Sequence, residues 1–231
     1  MITLAETPLL MNTKNITRDL ILLDLYRKDI VFYFSPSSVT LSAIAVSVII
    51  NLYLNNKIKL VDGNIKIVEE ASTRTYNKLM IEYLKKHEIT TLKNAAHEIF
   101  IDSEFSMQLY ELVIEELSEE KLIEIETKRQ LILNKNIIKL VDQNSVRQAY
   151  KKLFQTLFKD EQSQEFVALA LIIDTFFSVD DYFDESEHTA IKEALEHLKK
   201  TAIYQDIVIF KDVIEEFYQL TAQRDTNYFG V

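Results

Sequence analysis

Residues 39–54, VTLSAIAVSVIINLYL, carry no charge and are apolar on every face of a helix. A helix of that kind leaves no side for water, so it has to be wrapped. Its sixteen residues would span ~24 Å at ~1.5 Å per residue. A bilayer crossing needs ~20 residues, and Ser42, Ser47 and Asn51 interrupt the run. The reading is a central helix buried in a protein core, and the rest of the chain must supply its coat.

The chain has 231 residues with two glycines and two prolines. So few breakers predict long helices joined by short polar connections. No low-complexity or Pro/Ser-rich linker divides the sequence, so a single domain over residues 1–231 is expected. About half of the residues are apolar, which excludes a disordered chain. There is no cysteine, so disulfides and thiolate metal sites are excluded, and a reducing compartment fits. The start, MITLAETPLL, lacks the basic segment and long apolar run of a signal peptide. The expected location is cytoplasmic, with attachment at a membrane surface as an option.

A first helix is expected at ITRDLILLDLYRK, separated by SPSS from the apolar run. Next comes KIKLVDGNIKIV, residues 57–68. Asp62-Gly63 is a strong two-residue hairpin signal, because a type I′ turn needs positive φ at both central positions. The turn sets the register. Leu60 faces Ile65 and Ile58 faces Ile67 on an apolar side, while Lys59 faces Lys66 on the other, with Lys57 nearby. Helix 74–86 follows, with Tyr76, Leu79, Met80 and Tyr83 on one face; TTLKNAAHEIF reads as helical. A helix through Leu109, Leu112, Val113 and Leu117 then switches to alternation at Leu122. A second hairpin is expected with its tip at Thr127 to Gln130 and a return at LILNK. Helix followed by hairpin therefore occurs twice. Ser145 and Gln148 form a capping box for helix 146–158. EFVALALIIDTFF, EHTAIKEALEHLKK and DIVIFKDVIEEFYQL close the chain. The fold class is mainly α, one helical domain around a buried helix with two short β-hairpins.

Charge is unevenly placed. Residues 101–126 hold nine acids and one base, a net of −8, while residues 127–152 hold seven bases and one acid, a net of +6. Two solvated faces of opposite sign are the plain reading. The sharper one is a basic hairpin aimed at an anionic surface. Lys128, Arg129 and Lys135 stand among Leu131, Ile132 and Leu133. Each base near an anionic bilayer contributes ~1 kcal/mol, and inserted apolar side chains add to it. Lys57, Lys59 and Lys66 form a secondary basic face. A helix before a hairpin also describes a winged helix. Helix 39–54 is uncharged, though, and the second helix is acidic and would be repelled by phosphate. The net charge of −10 argues the same way, so no nucleic-acid partner is expected.

Little here suggests catalysis. His87, His97, His188 and His197 form no HExxH motif. Asp180, Asp181, Asp184, Glu185 and Glu187 miss calcium-loop spacing and its glycine. No phosphate-cradling glycine loop or nucleophile elbow is present. A non-enzymatic protein without cofactor or metal is expected.

The order of these parts resembles the Golgi phosphoprotein 3 family, which includes bacterial members. The resemblance covers about residues 15–220. It rests on TRDLILLDLYRKD, IINLYLNNKIKLVDGNIKIVEE, TYNKLMIEYLKK, the segment from VIEELSEEKLIEIE through the second hairpin to VRQAYKKLF, and FVALALIIDTFFSVDDYF. It implies a helical domain with hairpins on one face. It also implies binding to anionic, phosphoinositide-type headgroups and an adaptor role, with the second hairpin entering the bilayer. The family's headgroup-binding tryptophan and arginines fall near Pro36 and at Ala45, Met107 and Tyr110, so they are not matched. What carries over is Lys128, Arg129, Leu131, Ile132, Leu133 and Lys135. The expectation is a peripheral membrane or adaptor protein that meets anionic lipid, with a protein partner or a second copy as further options. A soluble protein–protein scaffold is the alternative, and a winged-helix regulator a more distant one.

Overall fold

The computed structural model describes residues 15–27, 31–33, 36–68, 74–130, 133–158, 163–177 and 185–228. The apolar run forms α2 (Ser38–Leu54), and thirteen of its seventeen residues are buried. Ser37 caps its start, accepting from the Thr40 amide at 3.1 Å, which satisfies one of the orphan donors of the first turn. Around α2 pack α1 (Ile16–Arg27), α3 (Thr75–Lys86), α4 (Leu92–Ile101), α5 (Ser103–Glu119), α7 (Gln164–Phe176) and α10 (Lys211–Tyr228). Helix α6 (Gln143–Phe158) lies on α1 and α7, and α8 (His188–Leu198) lies on α6. The last predicted helix is broken. Helix α9 (Ala202–Ile207) leads through a 3-10 turn at Val208–Phe210 into α10, and Ile207 and Phe210 both reach the core.

Helices α2, α3 and α5 end in the same way. Asn56, Glu88 and Lys121 have φ of 57°, 51° and 59°. The amides one residue further on, Lys57, Ile89 and Leu122, donate to the carbonyls of Leu52, Leu84 and Leu117. This is the Schellman arrangement, which normally places glycine at the left-handed position. After α2 and α5 it turns the chain straight into a strand, so both helix–hairpin units begin from the same backbone device.

The first hairpin matches the sequence-derived register. Strands β2 (Ile58–Val61) and β3 (Asn64–Ile67) pair Leu60 with Ile65, Ile58 with Ile67 and Lys59 with Lys66. Asp62 and Gly63 have φ of 54° and 76°, as a type I′ turn requires. Ile58 and Ile65 are buried, while Lys59 and Lys66 are exposed. The outer side of β3 is held by the Thr90 carbonyl, which accepts from the Ile65 amide at 2.6 Å.

The second hairpin differs from expectation. Strands β4 (Ile123–Gln130) and β5 (Leu133–Leu140) pair over their whole length, from Ile123 with Leu140 to Gln130 with Leu133. Thr127 to Gln130 are therefore strand, not tip. Polarity suggested a turn there, but a ladder is made by the main chain and tolerates a polar run on a solvated ribbon. A third strand, β1 (Val31–Tyr33), pairs with residues 136–138 of β5, giving the order β1-β5-β4. Its pairing crosses more than a hundred residues of sequence, and three residues are too few to display an alternation.

The start of α6 also differs. The cap is Asp142, which accepts from the amides of Asn144 (2.9 Å) and Ser145 (3.3 Å) and from the Ser145 hydroxyl (2.7 Å). Ser145 thus lies inside the helix, because an aspartate was available three residues earlier and its charge suits the helix dipole. Val146, Ala149, Leu153 and Leu157 are buried, while Tyr150, Phe154 and Phe158 on the same apolar stripe are half-buried.

Substitution at the left-handed positions tests this account. A side chain there costs about 1–2 kcal/mol, partly offset by the greater unfolded-state freedom of glycine. Glu88→Gly and Lys121→Gly are expected to stabilise by roughly 0.5–1 kcal/mol each in denaturant melts. Gly63→Ala is expected to destabilise by about 1 kcal/mol, although no atom lies within 4 Å of the added methyl.

Candidate functional site

The candidate residues sit on the distal part of the β4–β5 ribbon. Register places Lys128 opposite Lys135, Arg129 opposite Asn134 and Gln130 opposite Leu133. Leu131 and Ile132, which separate the two strands, lie outside the described residues, as do the side chains of residues 127–136. The charge is divided along the ribbon. Residues 127–136 contain Lys128, Arg129 and Lys135 and no acid; the proximal part contains Glu124, Glu126 and Lys139. Lys139 and Glu126 form an ion pair at 2.5 Å, which offsets one of the two proximal acids.

The ribbon is anchored at its base. Leu122, Ile123 and Ile138 are buried with the main core. The Val141 amide donates to the Leu122 carbonyl at 2.9 Å, extending the ladder to the Asp142 cap. Ile137 is also buried, at 2 % exposure, on the opposite side of the sheet from Ile138. Strand β1 pairs no further along the ribbon than Asn136.

The secondary basic face stands apart. Lys59 and Lys66 lie opposite each other and exposed, with Lys57 half-buried just before β2, in a separate two-stranded sheet. The two basic groups are thus not brought into one sheet. Pro36, Ala45 and Tyr110, noted above for the resemblance, are buried and Met107 is half-buried. A small cavity walled by Ser38, Ser42, Ser103 and Ser106 has no basic side chain in its lining.

Sequence reasoning missed one further feature. The Tyr83 ring stacks on Phe105 (centroids 3.7 Å apart) and on His87 (4.2 Å). Its hydroxyl donates to the Glu98 carbonyl (3.2 Å) and to Asp102 (3.3 Å). Burial, and then the Asp102 charge, push the phenol pKa up, so it stays protonated and serves as a fixed donor. Tyr83 and His87 at i, i+4 were legible as neighbours; Phe105 comes from another helix. A cleft of about 400 Å³ opens beside them, with Glu82, Lys86, Glu104 and Gln108 on its walls. Among the described residues, no group of three His, Cys, Asp or Glu side chains is placed to hold a metal.

A second polar cluster ties the start of α1 to α3 and α7. Asn15 caps α1, its side chain accepting from the Arg18 amide (3.0 Å) and the Tyr76 hydroxyl (3.0 Å), while its own amide donates to Glu165 (3.0 Å). Arg74 bridges Glu116 and Glu120 of the α5 end. Burial pushes Tyr76 up to about 12. Asp19, 3 % exposed, is bonded by Arg18 at 3.0 Å. These contacts join helices.

No protein-family model matches the chain, and no curated protein matches it. Among the described residues, no helix is long and apolar enough to cross a membrane.

The Asp19 carboxyl gives a pH test of the junction. Desolvation raises its pKa from 3.8, against the opposing charges of Arg18, Lys152 and Arg74. An acid raised in the folded state releases its proton first from the unfolded chain. Its effect is therefore to lower stability as pH rises from near 3.8 through the folded value. Asp19→Asn is expected to raise the melting temperature at neutral pH and to remove that slope, read from melts across the acidic range.

Proposed function

We propose that this is a non-enzymatic peripheral protein that meets anionic membrane through the distal end of the β4–β5 ribbon. The observation that carries the reading is the register. Gln130 pairs with Leu133, so the ribbon is joined by two residues, and those residues are Leu131 and Ile132. A two-residue hairpin connection calls for positive φ, which favours Asn, Asp and Gly and disfavours a β-branched side chain. The first hairpin of this same chain obeys that rule with Asp62-Gly63. An apolar pair kept against turn chemistry, flanked by three bases and no acid, matches a surface that is anionic outside and apolar within. The resemblance to the Golgi phosphoprotein 3 family points the same way. Recognition of a particular phosphoinositide is not part of the proposal, because the positions that the resemblance aligns with the family's headgroup-binding residues hold Pro36, Ala45, Met107 and Tyr110, none of them a cation.

Co-sedimentation with vesicles tests this. Binding to phosphatidylserine vesicles is expected, weakening with salt, and absent from phosphatidylcholine. Lys128→Glu with Arg129→Glu removes about 2 kcal/mol of attraction, at least about 30-fold in affinity. Leu131→Asn with Ile132→Gly installs the preferred turn, so it is expected to hold or raise the melting temperature while lowering binding. Equal binding to both vesicles, or binding untouched by either variant, overturns the reading. A protein that ignores vesicles yet co-purifies with one partner would instead be a scaffold.

A further inference from the structure

We infer that β4 is a docking edge for a second copy of this chain, paired antiparallel across a two-fold axis at Thr127. The inference is independent of the membrane reading. Strand β4 is an edge strand in the order β1-β5-β4, and among the described residues no strand lies beyond it. It runs for eight residues without proline or glycine, whereas exposed edges are commonly kept short, bulged or broken; its charges, another common guard of an edge, are here of both signs and so can match a partner strand.

The direction of its free hydrogen-bonding groups follows from the ladder. The Val141 amide donates to the Leu122 carbonyl, in step with the pairing of Gln130 and Leu133. Even-numbered residues of β4 therefore bond inward to β5. The main-chain groups of Ile123, Ile125, Thr127 and Arg129 turn toward the outer edge.

The sequence of that edge, IEIETKRQ, is acidic in its first half and basic in its second. Antiparallel pairing with itself sets acid against base. A two-fold axis perpendicular to the sheet keeps each residue on its own face, so only registers centred on a residue are allowed. Centring on Glu126 opposes like charges, which is unfavourable. Centring on Thr127 places Thr127 opposite Thr127, Glu126 opposite Lys128 and Ile125 opposite Arg129, each of the last two occurring twice. Thr127 and the Ile125–Arg129 pairs are then the hydrogen-bonded positions. Glu126 and Lys128 take the closer, non-bonded spacing, where cross-strand side chains interact best. The two three-stranded sheets become one of six strands.

Sedimentation equilibrium of the full chain is expected to show a reversible dimer. Thr127→Pro removes an outward N–H and leaves the β4–β5 ladder intact; it is expected to weaken the dimer by at least about tenfold, with the circular dichroism unchanged. Glu126→Lys is expected to weaken it, and Glu126→Lys with Lys128→Glu to restore it. The chain has no cysteine, so Thr127→Cys is expected to cross-link copies on mild oxidation, while Gln130→Cys is not. A monomer at every concentration, a dimer indifferent to Thr127→Pro, or preferential cross-linking through Glu126→Cys overturns the inference.

Discussion

The structure depends on enclosing α2. A helix apolar on all sides can be stable in water only if every face is covered, and six helices supply that cover. Apolar contact alone would leave the neighbours free to slide, since it has no direction. Buried polar groups add direction. Ser47 is hydrogen-bonded to Thr17 of α1 at 3.0 Å and donates to the Ile44 carbonyl at 2.7 Å. Ser42 and Thr221 of α10 are bonded at 3.0 Å, and Thr221 also donates to the Phe217 carbonyl at 2.7 Å. The hydroxyls that break up the apolar run in sequence are thus the groups that fix where α1 and α10 lie against it. Each would be costly to leave unpaired in such a core, which turns a non-specific coat into a specific one.

Around this core the chain manages with one interior glycine. Left-handed residues at three helix ends are Asn, Glu and Lys, and the cost of each is offset by the buried elements that it joins. Repetition of the device after α2 and α5 accounts for the repeated helix–hairpin pattern. A Schellman turn reverses the chain direction locally, and alternating apolar residues immediately after it make a strand the favoured continuation. The interior glycine serves the Asp62-Gly63 turn, where two consecutive residues have positive φ.

What could be read from sequence follows how local the cause is. The Asp62-Gly63 turn fixes its own register, so the pairing of Ile58, Leu60, Ile65 and Ile67 was legible. Helix faces followed from spacing, as Tyr76, Met80 and Tyr83 on α3 show. Strand β1 depends on a partner far along the chain and left only a short aromatic, β-branched run as a signal. The length of the β4–β5 ribbon was misjudged because TKRQ has the composition of a turn, whereas the ladder continues through it to the pairing of Gln130 with Leu133. For the candidate site, the residues were legible and their arrangement was not. Which bases oppose each other depends on a register that a polar ribbon without an Asn-Gly or Asp-Gly signal does not announce. The Tyr83, Phe105 and His87 stack was hidden because α3 and α5 meet only in the fold.

The ribbon's charge pattern has two consequences that oppose each other. Beyond its last pairing with β1, the ribbon extends three more residue pairs, about 10 Å at ~3.3 Å per residue. That is close to the ~8 Å screening length at physiological salt. If the ribbon meets an anionic surface as proposed, its bases do so with the field of the acidic body partly screened, and lowering the salt strengthens the attraction at the tip and the repulsion from the body together. The same bases, when two copies pair through β4 as inferred, lie beside the acidic half of the other strand, and the two distal ends point in opposite directions. A flat membrane cannot meet both ends of such a dimer at once. On these two proposals, self-pairing and membrane contact draw on the same strand, and whichever is tighter at a given concentration of protein and lipid sets the state of the ribbon.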